Sequence, residues 1–220
     1  MLAVQTAPRP QPTLAATLAS LHRAGLDQWT GPMVVFADGY APAVDPPFRL
    51  DTTPTKLGNA RTYLRIIHAA VAEIAEDRLD GLLLVEDDVV LCKNALPYVQ
   101  RLAVPERTAS IAIYSPIDPK LDKALLKMSS TFWSGNCAVL LTAAALAAIA
   151  ASPVVAAWPR TNGADEIAAY GANTMNFLHH VPSLAQHIGD VSSMGHGRIR
   201  RSPTFRGEEF DAMSLWAPSP

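Results

Sequence analysis

Three consecutive acids, Glu86, Asp87 and Asp88, interrupt an otherwise apolar run, LLLVEDDVVL, at residues 82–91. Carboxylates crowded in this way repel one another and lose solvation, a cost that a cation or protons must offset. Hard divalent cations such as Mg²⁺ and Mn²⁺ prefer carboxylate oxygen, and Mg²⁺ typically takes one or two protein carboxylates together with substrate phosphates. The stretch can therefore anchor a phosphate-bearing ligand through a metal. A solvated turn or a helix cap is the plain alternative, but the apolar flanks keep these acids from being a surface run.

Further along the chain are other groups able to do chemistry. Asp165 and Glu166 open a helical pattern, where acids complement the helix dipole and where either can also serve as a general base. His187 alone does not mark a metal ligand, but it lies in a polar, glycine-containing segment at residues 181–197 that can deliver it to the acids. Trp133, Gly135 and Asn136 precede an apolar stretch. A ring offers a sugar an apolar face and glycine admits close backbone approach, although a core tryptophan is the commoner case. Arg61 falls in the first turn of a helix, where a cation opposes the dipole unless an anion is near, so it is either a phosphate partner or a solvated side chain. Arg198, Arg200, Arg201 and Arg206 form a basic cluster near the C-terminus, to be read as a solvated tail or as a cover for a pyrophosphate or acidic acceptor.

The elements that must position these groups follow from the apolar pattern. Residues 2–6 read as a first strand, and Ala7, Pro8, Arg9 and Pro10 as a rigid loop at its end. A helix follows from Pro12 or Thr13, with Leu14, Leu18 and Leu21 on one face and Gly25 as its stop. A second strand, residues 33–37, ends at Asp38 and Gly39. This βαβ order puts Arg9 and Asp38 on one edge, where Asp38 either binds a ribose hydroxyl or base N–H or forms a simple turn. Asn59 opens a long amphipathic helix carrying Leu64, Ile67, Val71 and Ile74. The run 82–91 reads as one strand buried on both faces, with its acids at the ligand edge of an open sheet. A helix at 94–102 and a strand at 110–114 come next, and residues 115–130 have the length of a lid or binding loop. The uncharged run 137–158 is long enough for a membrane span, but Thr142, Ser152 and Pro153 divide it into a buried strand and a short capped helix.

With 220 residues and a net charge of −2, the chain suits one domain and is not a broadly basic nucleic-acid binder. Its two cysteines, Cys92 and Cys137, give neither a disulfide framework nor zinc spacing, which fits a reducing, cytoplasmic setting. The N-terminus lacks a basic region followed by an apolar block, so no signal peptide is expected.

In order, VQTAPRP, MVVFADG, LLLVEDDVVL, FWSGNCAVLLT, ADE and VPSLAQHIGDVSS resemble nucleotide-sugar glycosyltransferases of the GT-A fold. The likeness is nearest to the N-acetylglucosaminyltransferases that branch N-glycans, with some similarity to the lipopolysaccharide and collagen galactosyltransferase group. It implies a GT-A-like (Rossmann-like), mostly parallel central sheet flanked by helices in one α/β domain, residues 1–197, followed by a basic and then proline-rich tail, 198–220. It implies Mn²⁺ or Mg²⁺ on the diphosphate of a UDP-sugar or similar donor. Asp88 is then the direct ligand, Glu86 and Asp87 lie beside the donor, and His187 is a late metal or diphosphate contact. Thr6, Ala7, Arg9 and Asp38 fall at the nucleoside, and Trp133, Gly135 and Asn136 at the sugar and acceptor. Asp165 or Glu166 takes the place of the base in inverting transfer. The triplet departs from the more usual Asp-x-Asp pattern, which leaves Glu86 open between ribose and water. The acceptor is expected to be a glycan, a lipid-linked sugar or a phosphate-rich polymer such as modified DNA. The competing readings are a nucleotidyltransferase, for which the Ala7-Pro8-Arg9-Pro10 loop is poor, and a sugar-nucleotide-binding module without chemistry.

Overall fold

In the computed structural model, which describes residues 1–76, 79–118, 124–128, 137–160, 163–189 and 201–216, the chain starts with a βαβ unit. Strand β1 (Leu2–Thr6) pairs in parallel with β2 (Met33–Ala37), and α1 (Leu14–Arg23) joins them. The chain leaves α1 through Gly25 at φ 94°, a left-handed conformation that glycine adopts without Cβ strain. Strand β3 (Arg49–Thr52) adds to β2, and α2 (Asn59–Ala75) then leads to β4 (Gly81–Glu86), which pairs with the other side of β1. The remaining strands of the main sheet are β6 (Thr108–Ala112), β7 (Ala124–Met128), β8 (Ala138–Thr142) and β9 (Asn176–Val181).

The order across the sheet is β3-β2-β1-β4-β8-β6-β9-β7. Six of the eight strands run in one direction, and β8 and β7 oppose them. The fold is thus an α/β domain with a large, mostly parallel sheet. Because β2 leaves β1 on one side and β4 enters on the other, the order reverses at β1. Open α/β sheets take ligands beyond the carboxyl ends of their strands at such a switch point.

Alternate residues of the strands enter two cores. Ala3, Leu82 and Leu84 face α2, α4 (Ala143–Ala151) and α6 (Ala164–Gly171), packing on Tyr63, Ile67, Leu146 and Ile167. Leu2, Val4, Leu83 and Val85 face α1 and α3 (Ala95–Arg101), packing on Leu21, Leu96 and Tyr98.

Several sequence expectations change. LLLVEDDVVL is two strands: β4 ends at Glu86, the chain turns at Asp87 and Asp88, and β5 (Val89–Leu91) leaves to pair antiparallel with β10 (Ala185–His187). The turn is fixed because the Asp87 N–H still bonds to Gln5 of β1, while Thr17 of α1 donates to the Asp87 carbonyl at 2.8 Å. The loop expected at 115–130 contains β7. Thr142 caps α4 as expected, accepting from the Ala145 N–H, but Ser152 also starts a new turn of helix, α5 (Pro153–Ala156). Among the described residues no helix is long and apolar enough to cross a membrane.

Residues 201–216, expected within a tail, pack back on the domain. Phe205, Phe210, Met213 and Leu215 lie against the second core, and a 3-10 turn, Ala212–Trp216, contacts α3. Their apolar residues supply the reason, since packing on the second core removes them from water.

Candidate functional site at the carboxyl edge of the sheet

The parallel register sets Gln5 opposite Glu86 and so brings the loop after β1 beside the acidic turn. The Thr6 hydroxyl donates to the Asp87 carboxylate. Having spent its only proton there, Thr6 must accept from the Tyr40 hydroxyl, 2.5 Å away. Arg9 reaches across both acids: one guanidinium nitrogen pairs with Asp87, and the other donates to Asp88 Oδ2 at 2.6 Å. That same oxygen lies 3.1 Å from His187 Nε2. The pairing of β5 with β10 sets His187 opposite Val89, and the Ile188 N–H bonds to the Asp88 carbonyl at 2.7 Å. Gly189 completes the enclosure, because a Cβ there would stand 2.7 Å from Asp88 Oδ2.

These acids do not share one charge state. Burial raises the Glu86 carboxyl to about 8, assisted by Asp88 and Asp165, so it keeps its proton at neutral pH. Burial also raises Asp87, to about 6, although Arg9 and Thr6 oppose the shift. Burial pushes Asp88 up too, but the His187 hydrogen bond and charge, together with Arg9, outweigh it and hold the group below its ordinary value. Burial lowers His187, and Asp88 and Glu86 more than reverse this, favouring the imidazolium. The crowding cost is thus offset by a retained proton and two side-chain cations.

A divalent cation fits one remaining feature. Asp88 Oδ1 is buried and has no hydrogen-bond partner among the described residues. Among those residues no three His, Cys, Asp or Glu side chains form a metal cage. A hard cation here would have to combine a carboxylate oxygen with phosphate oxygens, which is how Mg²⁺ usually binds.

The second side of the site is built where the N-termini of α2 and α6 meet. Gln5 donates its amide to the Asn59 carbonyl, and the Asn59 side chain accepts from the Ala164 N–H. Asp165 follows directly, and its charge raises Glu86, Cys137 and Tyr63 in the same direction as burial does. Glu166 instead forms an ion pair with Arg160 at the surface, with its side chain 45% exposed. The neighbouring acids therefore have different surroundings, which the sequence left undecided.

Arg61 is exposed on the first turn of α2. Asp38 is buried, and its carboxylate accepts from the backbone N–H groups of Leu57 at 2.6 Å and Gly58 at 2.9 Å. It fastens the loop before α2; the sequence offered it as a nucleoside contact or a simple turn former. The Ala7 backbone N–H bonds to Asp87, so Ala7 stands beside the acids. Trp133, Gly135, Asn136, Arg198 and Arg200 lie outside the described residues. Of the other two arginines of the basic cluster, Arg201 is exposed and Arg206 stacks 5.1 Å over the Phe210 ring.

Sequence reasoning missed Tyr40, Thr17, Asn59 and Cys137 as parts of the site. Tyr40 follows Asp38-Gly39 by one residue, which was a usable signal. Thr17 lay hidden on a helix face judged by its leucines, and nothing local marks Cys137, whose carbonyl accepts the Glu86 N–H at 2.7 Å. No family model matches the chain, and no curated protein matches it.

Proposed function

We propose that the chain is a metal-dependent, inverting glycosyltransferase of GT-A type, moving a sugar from a nucleotide-diphosphate sugar such as a UDP-sugar to an acceptor hydroxyl. One observation carries this: at the carboxyl edge of the sheet the buried Asp88 keeps one oxygen, Oδ1, without a hydrogen-bond partner among the described residues, while Arg9 and His187 gather on the other. The switch-point location adds support, being the usual nucleotide edge of an open α/β sheet.

In this reading Asp88 would hold Mn²⁺ or Mg²⁺ through Oδ1, and the His187 imidazolium would contact the donor diphosphate. The bound cation supplies Lewis-acid neutralisation of the leaving group. Thr6, Tyr40 and the backbone at Ala7 line the donor side. Glu86, whose carboxyl burial raises in the metal-free protein, would hydrogen-bond a donor hydroxyl. Asp165 accepts the proton of the acceptor hydroxyl as that oxygen attacks the anomeric carbon. Attack from the side opposite the diphosphate gives inversion. The acceptor class is a glycan, a lipid-linked sugar or a nucleic acid, and the two free thiols suit a cytoplasmic setting.

The test is incubation with UDP- and GDP-sugars and Mn²⁺. Donor binding or slow hydrolysis is expected. Failure to bind any sugar nucleotide, with or without metal, overturns the proposal.

A further inference from the structure

We propose that Arg9 is an exchangeable counter-ion: it bridges Asp87 and Asp88 in the metal-free protein, and gives up that bridge when a divalent cation and the donor diphosphate enter. This rests on Asp88 being the cation ligand.

The geometry is specific. The fork of Arg9 spans both acids, and with His187 it uses up Asp88 Oδ2, leaving only Oδ1. The Arg9 and Asp88 side chains are 8% and 7% exposed, so water does little to screen a third charge placed among them. A guanidinium and a dication sharing the same two carboxylates would repel strongly. The cheaper arrangement moves the guanidinium on to the new anion, for which its planar fork is well shaped. Arg9 Nε is buried without a partner among the described residues, so the acids leave one donor unused. A diphosphate offers enough oxygens to take it.

The backbone permits the move. Arg9 sits between Pro8 and Pro10 in a stretch outside any strand or helix, and both neighbours are exposed. Swinging its side chain disturbs no sheet hydrogen bond. Arg9 therefore couples the two ligands: the cation releases it, and the diphosphate receives it.

Mn²⁺ alone is titrated calorimetrically into the wild type, Arg9→Gln, Arg9→Lys and Asp88→Asn, and UDP is then titrated at saturating Mn²⁺. Arg9→Gln should bind nucleotide-free Mn²⁺ about tenfold or more tightly than the wild type, the scale of a coupling between two competing charges, and should bind UDP more weakly. Arg9→Lys, which keeps the charge but cannot bridge two carboxylates, should fall between them, and it decides the matter if the glutamine variant does not fold. Equal or weaker Mn²⁺ binding in both arginine variants overturns the inference while leaving the cation site intact. Absence of Mn²⁺ binding in every protein, with UDP or without it, overturns the cation reading and the inference with it.

Discussion

Asn59 accepts a hydrogen bond from the backbone N–H of Ala164 at 3.2 Å, so the first residue of one helix satisfies the first N–H of another. The residue after Ala164 is Asp165. Replacing Asn59 by Ala leaves that N–H without its acceptor and should cost about 1 kcal/mol. It should also lower kcat more than it raises KM, because α6 no longer holds Asp165 in place. Asn59→Asp keeps the acceptor oxygen and should restore both properties. Urea melts read the first effect and steady-state kinetics the second.

The two acids of α6 should separate cleanly in kinetics. Asp165→Asn should reduce turnover by about 100-fold to 10,000-fold, the usual worth of a general base, while leaving Mn²⁺ and UDP binding unchanged. Glu166→Gln loses only a surface ion pair with Arg160 and should stay within a few-fold of wild type. Equal loss in both variants would remove Asp165 from its assigned role.

Gly189→Ala tests the enclosure of Asp88. The new methyl group would meet Asp88 Oδ2, which Arg9 and His187 hold in the metal-free protein and His187 still holds once Arg9 has left. Mn²⁺ affinity should fall with little change in urea midpoint, since the clash is confined to the site. Unaltered metal binding would mean that this carboxylate moves freely.

The charge states predict how metal-free stability depends on pH. Glu86 is raised from 4.5 to about 8, so its contribution is complete below 4.5 and is lost as pH rises through about 8. His187, raised above 6.5, acts in the same direction on its own alkaline limb. Asp88 is depressed below 3.8, and its contribution is lost as pH falls through that lowered value. Thermal melts should therefore show stability declining from about pH 5 to about pH 9, and Glu86→Gln should flatten the decline. A wild-type curve that rises over this range would contradict the protonated Glu86.

The sequence was most informative where packing alone decides. The strands at residues 2–6 and 33–37, the helix opening at Asn59 and the cap at Thr142 all follow from uninterrupted or periodic apolar residues, and each is present. It was least informative where buried polar groups carry the structure. Strand β9 contains His179 and His180, two polar residues in a buried strand, whose rings are met by Ser115 and Tyr98. The break inside LLLVEDDVVL was invisible because β5 and β10 have three residues each and lie far apart in the chain. The acidic turn itself was legible. Its guanidinium bridge to Arg9 was not, because only the parallel register of β1 and β4 brings the two loops together.

The small β5–β10 sheet has a consequence for the order in which the molecule is made. His187 reaches Asp88 only once β10 has been synthesised, and β10 is itself gripped by later residues: Gln186 bonds to Ser202, and Lys93 beside β5 bonds to Glu208 and Ala212. On a ribosome the first four strands can pair while Asp88 still lacks its imidazole. The acidic turn is therefore completed late, after the scaffold that carries it, and a nascent chain that still lacks β10 holds its acids with Arg9 and Thr6 but without the imidazole.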